Sequence, residues 1–187
     1  MNIILASQSP RRQELLAKMG LEFEVRPSDF DERLDDSRSP QEVATALALG
    51  KAAAVAAQFP DALVIGADTI VTINGQQLGK PSSLAEATVM LRQLAGHAHD
   101  VTTGIALVCL SKDIQISDSD TTQVIFKPRN DEAIDKYVVT GDPLDKAGAY
   151  GIQSGASPLI DHIVGNYETV IGLPTKLLAQ HLAEFGV

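Results

Sequence analysis

Cysteine is nearly absent from this chain. Cys109 is the single one among 187 residues, which excludes an internal disulfide. It lies in an apolar run, 105–110, where a thiol is typical of a small buried side chain, so we expect no catalytic role for it. No apolar run approaches the length of a membrane span, and segment 1–6 lacks the features of a signal peptide. We therefore expect a cytoplasmic protein that does not associate with a membrane.

Basic residues are also scarce. The chain has 15 Lys and Arg against 24 Asp and Glu, for a formal net charge of −9 at pH 7. This balance argues against stable binding of nucleic acid, which needs an excess of basic residues along the phosphate backbone. It does not exclude a nucleotide, because a small anion needs only a local basic cluster and acidic groups can hold its divalent cation.

Two common nucleotide-binding signatures are missing from the sequence. The chain has no Gly-x-x-x-x-Gly-Lys-Ser/Thr loop and no Gly-x-Gly-x-x-Gly after its first strand, so neither a P-loop nor a Rossmann domain is indicated. The histidines and the cysteine lack the spacing of zinc ligands, which argues against a structural zinc site. A chain that cleaves nucleotides without these motifs must use another apparatus.

Strand-like and helix-like segments alternate, which favours an α/β fold with a mixed sheet and flanking helices. The length allows one large domain or two small lobes facing a cleft, and we expect a single domain over 1–187. The predicted strands span 2–6, 23–26, 63–67, 70–73, 101–110, 114–126 and 159–164. The predicted helices span 10–19, 40–58, 84–94 and 131–139, and a last helix begins near 173–174.

Segment 7–16 predicts a phosphate site at the start of the first helix. Ser9 is a favoured N-cap and Pro10 suits the first helical position, so Arg11 and Arg12 fall among outward-pointing backbone N–H groups. A cation there interacts unfavourably with the helix dipole, at a cost of about 0.3–1 kcal/mol. A bound anion would make the net interaction favourable. The alternative is that both arginines are solvated residues of an ordinary amphipathic helix.

Asp68 is the sharpest candidate for chemistry. It follows an apolar strand, where an unpaired charge is costly to bury, and we expect it to interrupt the sheet. A metal ion, a lysine or an attacking water would each justify it, and a general base is the most specific version of that idea. The alternative is an aspartate that accepts hydrogen bonds from local backbone N–H groups at a strand end.

Three further charged residues are ambiguous by themselves. Lys80 lies between Gly79 and Pro81, where it suits either a phosphate contact or an ordinary turn. Lys51 lies within an Ala-rich helix, where a lysine usually belongs to the solvated face. Glu32, in an acidic loop, is either a metal ligand or a solvated carboxylate.

Taken together, the motifs resemble the Maf family of nucleoside triphosphate pyrophosphatases, historically named for septum formation. The match runs nearly end to end and consists of Ser7-x-Ser9-Pro10-Arg11-Arg12-x-Glu14-Leu15-Leu16, Glu32, Lys51, Gly66-Ala67-Asp68-Thr69, Gly79-Lys80-Pro81, Val101-Thr102-Thr103-Gly104, Asp145-Lys146-Ala147-Gly148-Ala149-Tyr150-Gly151-Ile152-Gln153 and Gly172-Leu173-Pro174. The resemblance implies a fold similar to the inosine triphosphate pyrophosphatases, with two lobes around a deep cleft. It also implies a homodimer that hydrolyses the α–β phosphoanhydride with a divalent cation, Mg²⁺ or Mn²⁺.

The resemblance assigns roles to individual residues. It implies that Asp68 is the proton acceptor that activates water, and that Glu32 and Asp68 hold the metal. Arg12 and Thr69 are associated with substrate choice. The residues implied to grip the triphosphate are Ser7, Arg11, Arg12, Lys51 and Lys80. These roles agree with phosphoryl transfer chemistry, which depends on positioning and on neutralising developing charge.

Gln153 is implied to read the base. The segment 151–153 resembles the subfamily that acts on dTTP and UTP, whereas the branch preferring 7-methyl-GTP carries Ser-Glu in place of Ile-Gln. An amide offers the donor and the acceptor that O4 and N3–H of a pyrimidine require. Three positions depart from the family pattern: Ser154 and Ala156 stand where Gly is usual, and Asp142 stands where Glu is usual.

We therefore expect a pyrophosphatase that removes dTTP, UTP and modified pyrimidine nucleotides such as 5-methyl-UTP and pseudo-UTP before they enter nucleic acids. The first alternative is an enzyme that prefers 7-methyl-GTP or another purine nucleotide. The second is a nucleotide-binding regulator of cell division that hydrolyses little or nothing.

Overall fold

The computed structural model describes residues 1–31 and 33–186, so Glu32 lies outside the described residues. The strands are β1 (Ile3–Leu5), β2 (Glu24–Val25), β3 (Leu63–Ile73), β4 (Gln76–Leu78), β5 (Ala98–Cys109), β6 (Ile114–Phe126) and β7 (Ile160–Val164). The α-helices are α1 (Pro10–Lys18), α2 (Pro40–Ala56), α3 (Leu84–Leu94), α4 (Asp131–Val138), α5 (Tyr167–Ile171) and α6 (Thr175–Ala183). Short 3-10 turns lie at Leu110–Lys112, Asp142–Asp145, Ala147–Ala149 and Ser157–Leu159.

The strands form a seven-stranded sheet in the order β2-β1-β3-β5-β6-β7, with β4 paired to β3 off this path. β1 runs parallel to both β2 and β3, with Ile4 opposite Glu24 on one side and Val64 on the other. β4 is antiparallel to β3, and β7 is antiparallel to β6. The predicted α/β fold with a mixed sheet and flanking helices is therefore confirmed.

The chain divides into two compact units. The first comprises the described residues of Met1–Thr69, Thr103–Asp120 and Gly172–Val187, and the second comprises Ile70–Thr102 and Thr121–Ile171. The expectation of a single domain over 1–187 stays a prediction. None of the helices in the described part of the chain is long and apolar enough to cross a bilayer.

Helix α2 anchors the core of the first unit. Ser39 and Glu42 form the capping box at its start, in which the Ser39 side chain accepts the Glu42 N–H and the Glu42 carboxylate accepts the Ser39 N–H. Small side chains on α2 pack against the sheet, and the cluster consists of Ile4, Ala6, Ala48, Ala52, Val55, Ala56, Ala62, Val64, Ala106 and Val108. Cys109 is also fully buried, as expected.

An aromatic group lies within the core of the second unit. His99, Phe126 and Tyr150 meet edge to face, with ring centroids 4.9–5.4 Å apart. His99 Nε2 lies 2.7 Å from the Tyr150 hydroxyl. Burial lowers the pKa of His99 to about 4, so the ring is neutral at pH 7.

The structure differs from the predicted elements in several places, and one of them is β4, which was not among the predicted strands. β3 continues through Asp68 without interruption, because a buried partner described below satisfies the carboxylate. Helix α5 is only five residues long, which is too short to show a helical period in the sequence. Three 3-10 turns lie at Asp142–Asp145, Ala147–Ala149 and Ser157–Leu159, between the predicted helix 131–139 and the predicted strand 159–164, where the sequence predicted no helix.

Candidate active site

Arg12 joins three segments of the first unit. Its Nε donates to the Gly172 carbonyl at 2.8 Å, its Nη2 to Thr69 Oγ1 at 3.1 Å, and its Nη1 to Ser7 Oγ at 3.3 Å. Gly172 lies in the segment before α6, Thr69 lies within β3, and Ser7 lies in the segment after β1. The structure therefore brings together three of the residues that the sequence singled out, namely Ser7, Arg12 and Thr69.

Gly172 and Thr103 complete this arrangement, and neither had been assigned a role. Gly172 has a φ of 121°, and a Cβ there would lie 3.2 Å from Thr69 Oγ1 and 3.4 Å from Arg12 Nε. Only glycine brings its carbonyl to Arg12 in this conformation without strain. Thr69 Oγ1 also lies 2.9 Å from the buried hydroxyl of Thr103. The signal for both residues was their position inside motifs that carry the resemblance.

Asp68 and Lys51 form a buried ion pair. Lys51 Nζ donates to Asp68 Oδ1 at 2.5 Å, and each residue is 7% exposed. Each charge offsets the cost of burying the other. Removing one partner would therefore leave the other charge buried and uncompensated. Lys51 therefore does not lie on a solvated face of α2, and Asp68 is not a strand-end aspartate bonded only to local backbone.

A close approach between α2 and β3 makes this pair possible. A Cβ on Gly66 would overlap the Ala48 carbonyl, so only glycine allows the helix to pack so closely on the strand. Lys51 lies about one turn after Ala48, and Asp68 lies on the same face of β3 as Gly66. The close packing at Gly66 thus places the long Lys51 side chain against the short Asp68 side chain.

The N-terminus of α1 differs from the prediction in one detail. Ser9 occupies the N-cap position, but its side chain makes no cap hydrogen bond within the described chain. Its backbone N–H instead lies 3.3 Å from Ser7 Oγ, which accepts it. Arg11 lies half-buried in the first turn of α1, a turn that contains no acidic residue. That charge pattern suits an anion, and the phosphate role of Arg11 stays a prediction.

Lys80 and Gln153 belong to the second unit, and both are exposed. Lys80 follows β4 in a loop that is tied to the 3-10 segment Ala147–Ala149, since the Gly148 N–H donates to the Gly79 carbonyl at 3.0 Å. Gln153 lies in the turn that follows Ala147–Ala149 in the chain. The phosphate role of Lys80 and the base-reading role of Gln153 stay predictions.

Four polar side chains next to Gln153 form a cluster that sequence reasoning missed. This Asp142 cluster consists of Tyr137, Asp142, Lys146 and Ser154. Burial raises the pKa of Tyr137, and the hydrogen bond to the charged Asp142 raises it further. Burial alone would raise the pKa of Asp142, but hydrogen bonds from Lys146, Ser154 and Tyr137 outweigh it and lower the pKa. The sequence signals were that Lys146 lies inside a motif that carries the resemblance and that Asp142 and Ser154 depart from the family pattern.

Asp68 is the predicted metal ligand that lies within the described residues. Asp68 offers hard carboxylate oxygens, and Mg²⁺ is commonly held by one or two carboxylates together with substrate phosphates. Over residues 1–31 and 33–186, no group of three or more His, Cys, Asp or Glu is placed to hold a metal without such a substrate. Asp68 would hold the cation in the first unit, and Glu32, the second predicted ligand, lies outside the described residues.

Comparisons with known proteins agree with these motifs. A protein of Symbiobacterium thermophilum named dTTP/UTP pyrophosphatase is 49% identical over 98% of this chain and 94% of its own length. Proteins of the same name from Desulforamulus reducens and Bacillus anthracis are 49% and 46% identical over 99% of this chain, and over 97% and 96% of their own lengths. Among solved structures, the Staphylococcus aureus Ham1 protein superposes with a TM-score of 0.48 and 17% identity over 67% of this chain and 72% of its own. A family model described as Maf-like protein matches residues 2–185, and the chain therefore belongs to the Maf family.

Proposed function

We propose that this chain is a nucleoside triphosphate pyrophosphatase that hydrolyses dTTP and UTP to the monophosphate and pyrophosphate. The observation that carries the proposal is that β3 presents Asp68, paired with Lys51, directly before Thr69, paired with Arg12. Neighbouring residues of β3 thus present a carboxylate able to accept a proton and bind two cations from α1 and α2 that are able to neutralise phosphate charge. The names of relatives at 46–49% identity support the same activity.

In the proposed reaction, a water oxygen attacks the α-phosphorus and the bond to the β-phosphate oxygen breaks. Asp68 accepts a proton from the water, and pyrophosphate leaves with the electron pair of the broken bond. Lys51 holds the Asp68 carboxylate in place through the 2.5 Å hydrogen bond. Lys51 is also predicted to bind the triphosphate, and a lysine ammonium carries three donors.

Arg11, Arg12, Ser7 and Lys80 would bind the triphosphate, and their combined charge would offset the charge that develops on the leaving pyrophosphate. A divalent cation, Mg²⁺ or Mn²⁺, when bound by Asp68 and Glu32, supplies further neutralisation of the phosphate oxygens and a lower pKa for the bound water. Gln153 would select the base through its amide, which matches both O4 and N3–H of thymine and uracil.

A substrate panel tests this proposal. We would measure pyrophosphate release from dTTP, UTP, CTP, GTP and 7-methyl-GTP, with Mg²⁺ and with Mn²⁺. We expect preferential turnover of dTTP and UTP, and comparable turnover of 5-methyl-UTP and pseudo-UTP. Preference for a methylated purine would overturn the substrate class. Tight nucleotide binding with no pyrophosphate release under any condition would favour the regulator instead.

Cellular location and assembly also belong to this proposal. We propose a cytoplasmic homodimer whose partner is a nucleoside triphosphate and which forms no stable complex with nucleic acid. The acidic net charge of −9 supports the last point. Light scattering of the purified protein tests the dimer, and a monomer at micromolar concentration would contradict it.

A further inference from the structure

The loop that carries Gln153 is held at both ends. At one end, the Gly151 N–H donates to Tyr137 Oη at 3.1 Å. At the other end, Ser154 Oγ donates to Asp142 Oδ2 at 2.5 Å. The Ser154 N–H also donates to the Gly151 carbonyl at 3.2 Å, which closes the turn. Gln153 lies exposed between these two fixed points.

Asp142 is the acceptor that both ends share. Its Oδ2 accepts from Tyr137 Oη at 2.6 Å as well as from Ser154, and its Oδ1 accepts from Lys146 Nζ at 2.7 Å. An ionised carboxylate only accepts hydrogen bonds and has room for several, and the lowered pKa of Asp142 keeps it ionised at neutral pH. Removing the Asp142 carboxylate would therefore remove the acceptor that Tyr137 and Ser154 share.

Lys146 has a structural task in this arrangement. Its Nζ donates to Asp142 Oδ1 and to the Asp142 carbonyl at 2.7 Å each, and to Asp145 Oδ1 at 2.6 Å. These bonds use the three donors that an ammonium offers. Lys146 is 7% exposed, and its ammonium binds the two aspartates.

The packing around Gly151 leaves the turn little freedom. A Cβ at Gly151 would lie 2.6 Å from both Lys146 Cε and Ser154 Oγ. Backbone and side chains of the cluster therefore fill the space beneath the turn. The position of Gln153 follows from contacts made by other residues.

We propose that Ser154 and Asp142 are positioning residues for base selectivity, which hold the turn so that the Gln153 amide meets the pyrimidine edge. This inference rests on the proposed function, because it needs Gln153 to read the base. A cluster that only stabilised the second unit would change melting temperature and leave selectivity intact. A positioning cluster changes the preference for UTP over CTP, which differ in the edge that the amide reads.

The test compares Ser154→Ala with the wild type on UTP and CTP. Loss of one hydrogen bond is expected to raise KM for UTP by about 3- to 10-fold, with kcat and the KM for CTP nearly unchanged. Tyr137→Phe, which removes the hydroxyl at the other end of the turn, should shift the ratio in the same direction. Ser154→Thr, which keeps the hydroxyl, should keep the wild-type preference for UTP over CTP. Ser157→Ala, which removes an exposed hydroxyl in the same segment, serves as the control.

The outcomes separate the two proposals. A wild type that prefers UTP, with an unchanged UTP/CTP ratio in Ser154→Ala and in Tyr137→Phe, overturns the positioning role alone. A wild type that neither turns over nor binds UTP in preference to CTP overturns this inference together with the proposed function. Amide hydrogen exchange gives a readout besides activity: we expect faster exchange at 151–155 in Ser154→Ala, and exchange at the wild-type rate contradicts the proposal.

Discussion

The two compact units hold their predicted site residues in different ways. In the first unit, Arg12 donates directly to Ser7 and Thr69, and Lys51 donates directly to Asp68. In the second unit, Lys80 and Gln153 are exposed, and the hydrogen bonds near Gln153 run through the Asp142 cluster behind it.

This difference predicts two kinds of mutational response. In the first unit, the residues expected to contact the substrate also hold one another, so a substitution should alter stability and turnover together. In the second unit, contact and positioning are divided between different residues, so selectivity and stability should separate.

The largest effect is expected from Asp68→Asn. Removing the proton acceptor should lower kcat for UTP by about 10²- to 10⁴-fold, since general base catalysis contributes that much. The matched control is Asp61→Asn, the same chemical change at an exposed position of the same unit, which should leave kcat unchanged. Initial rates of pyrophosphate release measure both. Asp68→Asn with more than a tenth of wild-type turnover would contradict the assignment.

The next largest effect is expected from Lys51→Met, which leaves the Asp68 carboxylate buried without its partner. The free energy of unfolding in urea should fall by about 3–5 kcal/mol. Lys18→Met breaks a pair of similar length, 2.7 Å to Glu14, but both side chains there are more than half exposed. That control should cost less than about 1 kcal/mol.

A second variant sharpens the result for the buried pair. Adding Asp68→Asn to Lys51→Met removes the unpaired, buried Asp68 carboxylate. The double variant should therefore be more stable than Lys51→Met alone. A double variant that loses the sum of both single effects would show that the two charges do not compensate each other.

A third prediction concerns His99 in the second unit. Its pKa is about 4 in the folded chain and 6.5 when exposed, so the unfolded chain binds a proton that the folded chain lacks between these values. Its contribution is therefore fully present above pH 6.5, falls as pH drops to about 4, and totals about 3 kcal/mol. Urea unfolding from pH 7 to pH 4 should show a shallower loss in His99→Gln than in the wild type.

His97→Gln provides the control for this pH dependence. His97 is exposed and hydrogen-bonds the Ala95 carbonyl at 2.9 Å. Its replacement should leave the wild-type pH profile in place. Equal profiles for the wild type and His99→Gln would mean that burial of His99 does not set its protonation.

The smallest effect is expected from a matched pair of adjacent threonines. Thr103 hydrogen-bonds Thr69 in the first unit, and Thr102 hydrogen-bonds Thr121 in the second, each at 2.9 Å. Thr103→Val and Thr102→Val should each lower the free energy of unfolding by about 0.5–1.5 kcal/mol. Only Thr103→Val should raise KM for UTP, because only Thr69 accepts from Arg12. Equal KM values in the two variants would contradict the expectation that only the first unit combines substrate binding with stability.

Much of the fold followed from local signals. Helix α3 was predicted with both ends correct, because Ser83 caps its start and its apolar residues repeat at helical spacing. The turn between β3 and β4 is Asn74-Gly75, a pair typical of hairpins because both residues tolerate the positive φ that they adopt here. The interruption at Asp68 was wrong, because the partner that keeps the carboxylate inside the strand is Lys51, on another element.

The site was predictable only in part, for the same reason. Motifs identified Arg12, Asp68 and Thr69, but a motif does not reveal which of them bond one another. The hydrogen bond between Ser154 and Asp142 joins two positions that looked like separate departures from the family pattern. Contacts of this kind depend on tertiary packing, which a linear pattern does not contain.

Hydrolysis of UTP in water enriched in ¹⁸O, followed by mass spectrometry of the products, would establish which phosphorus the water attacks. We expect UMP and pyrophosphate, with the label in UMP because water attacks the α-phosphorus, and we expect Asp68→Asn to suppress both products. Release of UDP and inorganic phosphate, or label recovered in pyrophosphate, would contradict this expectation.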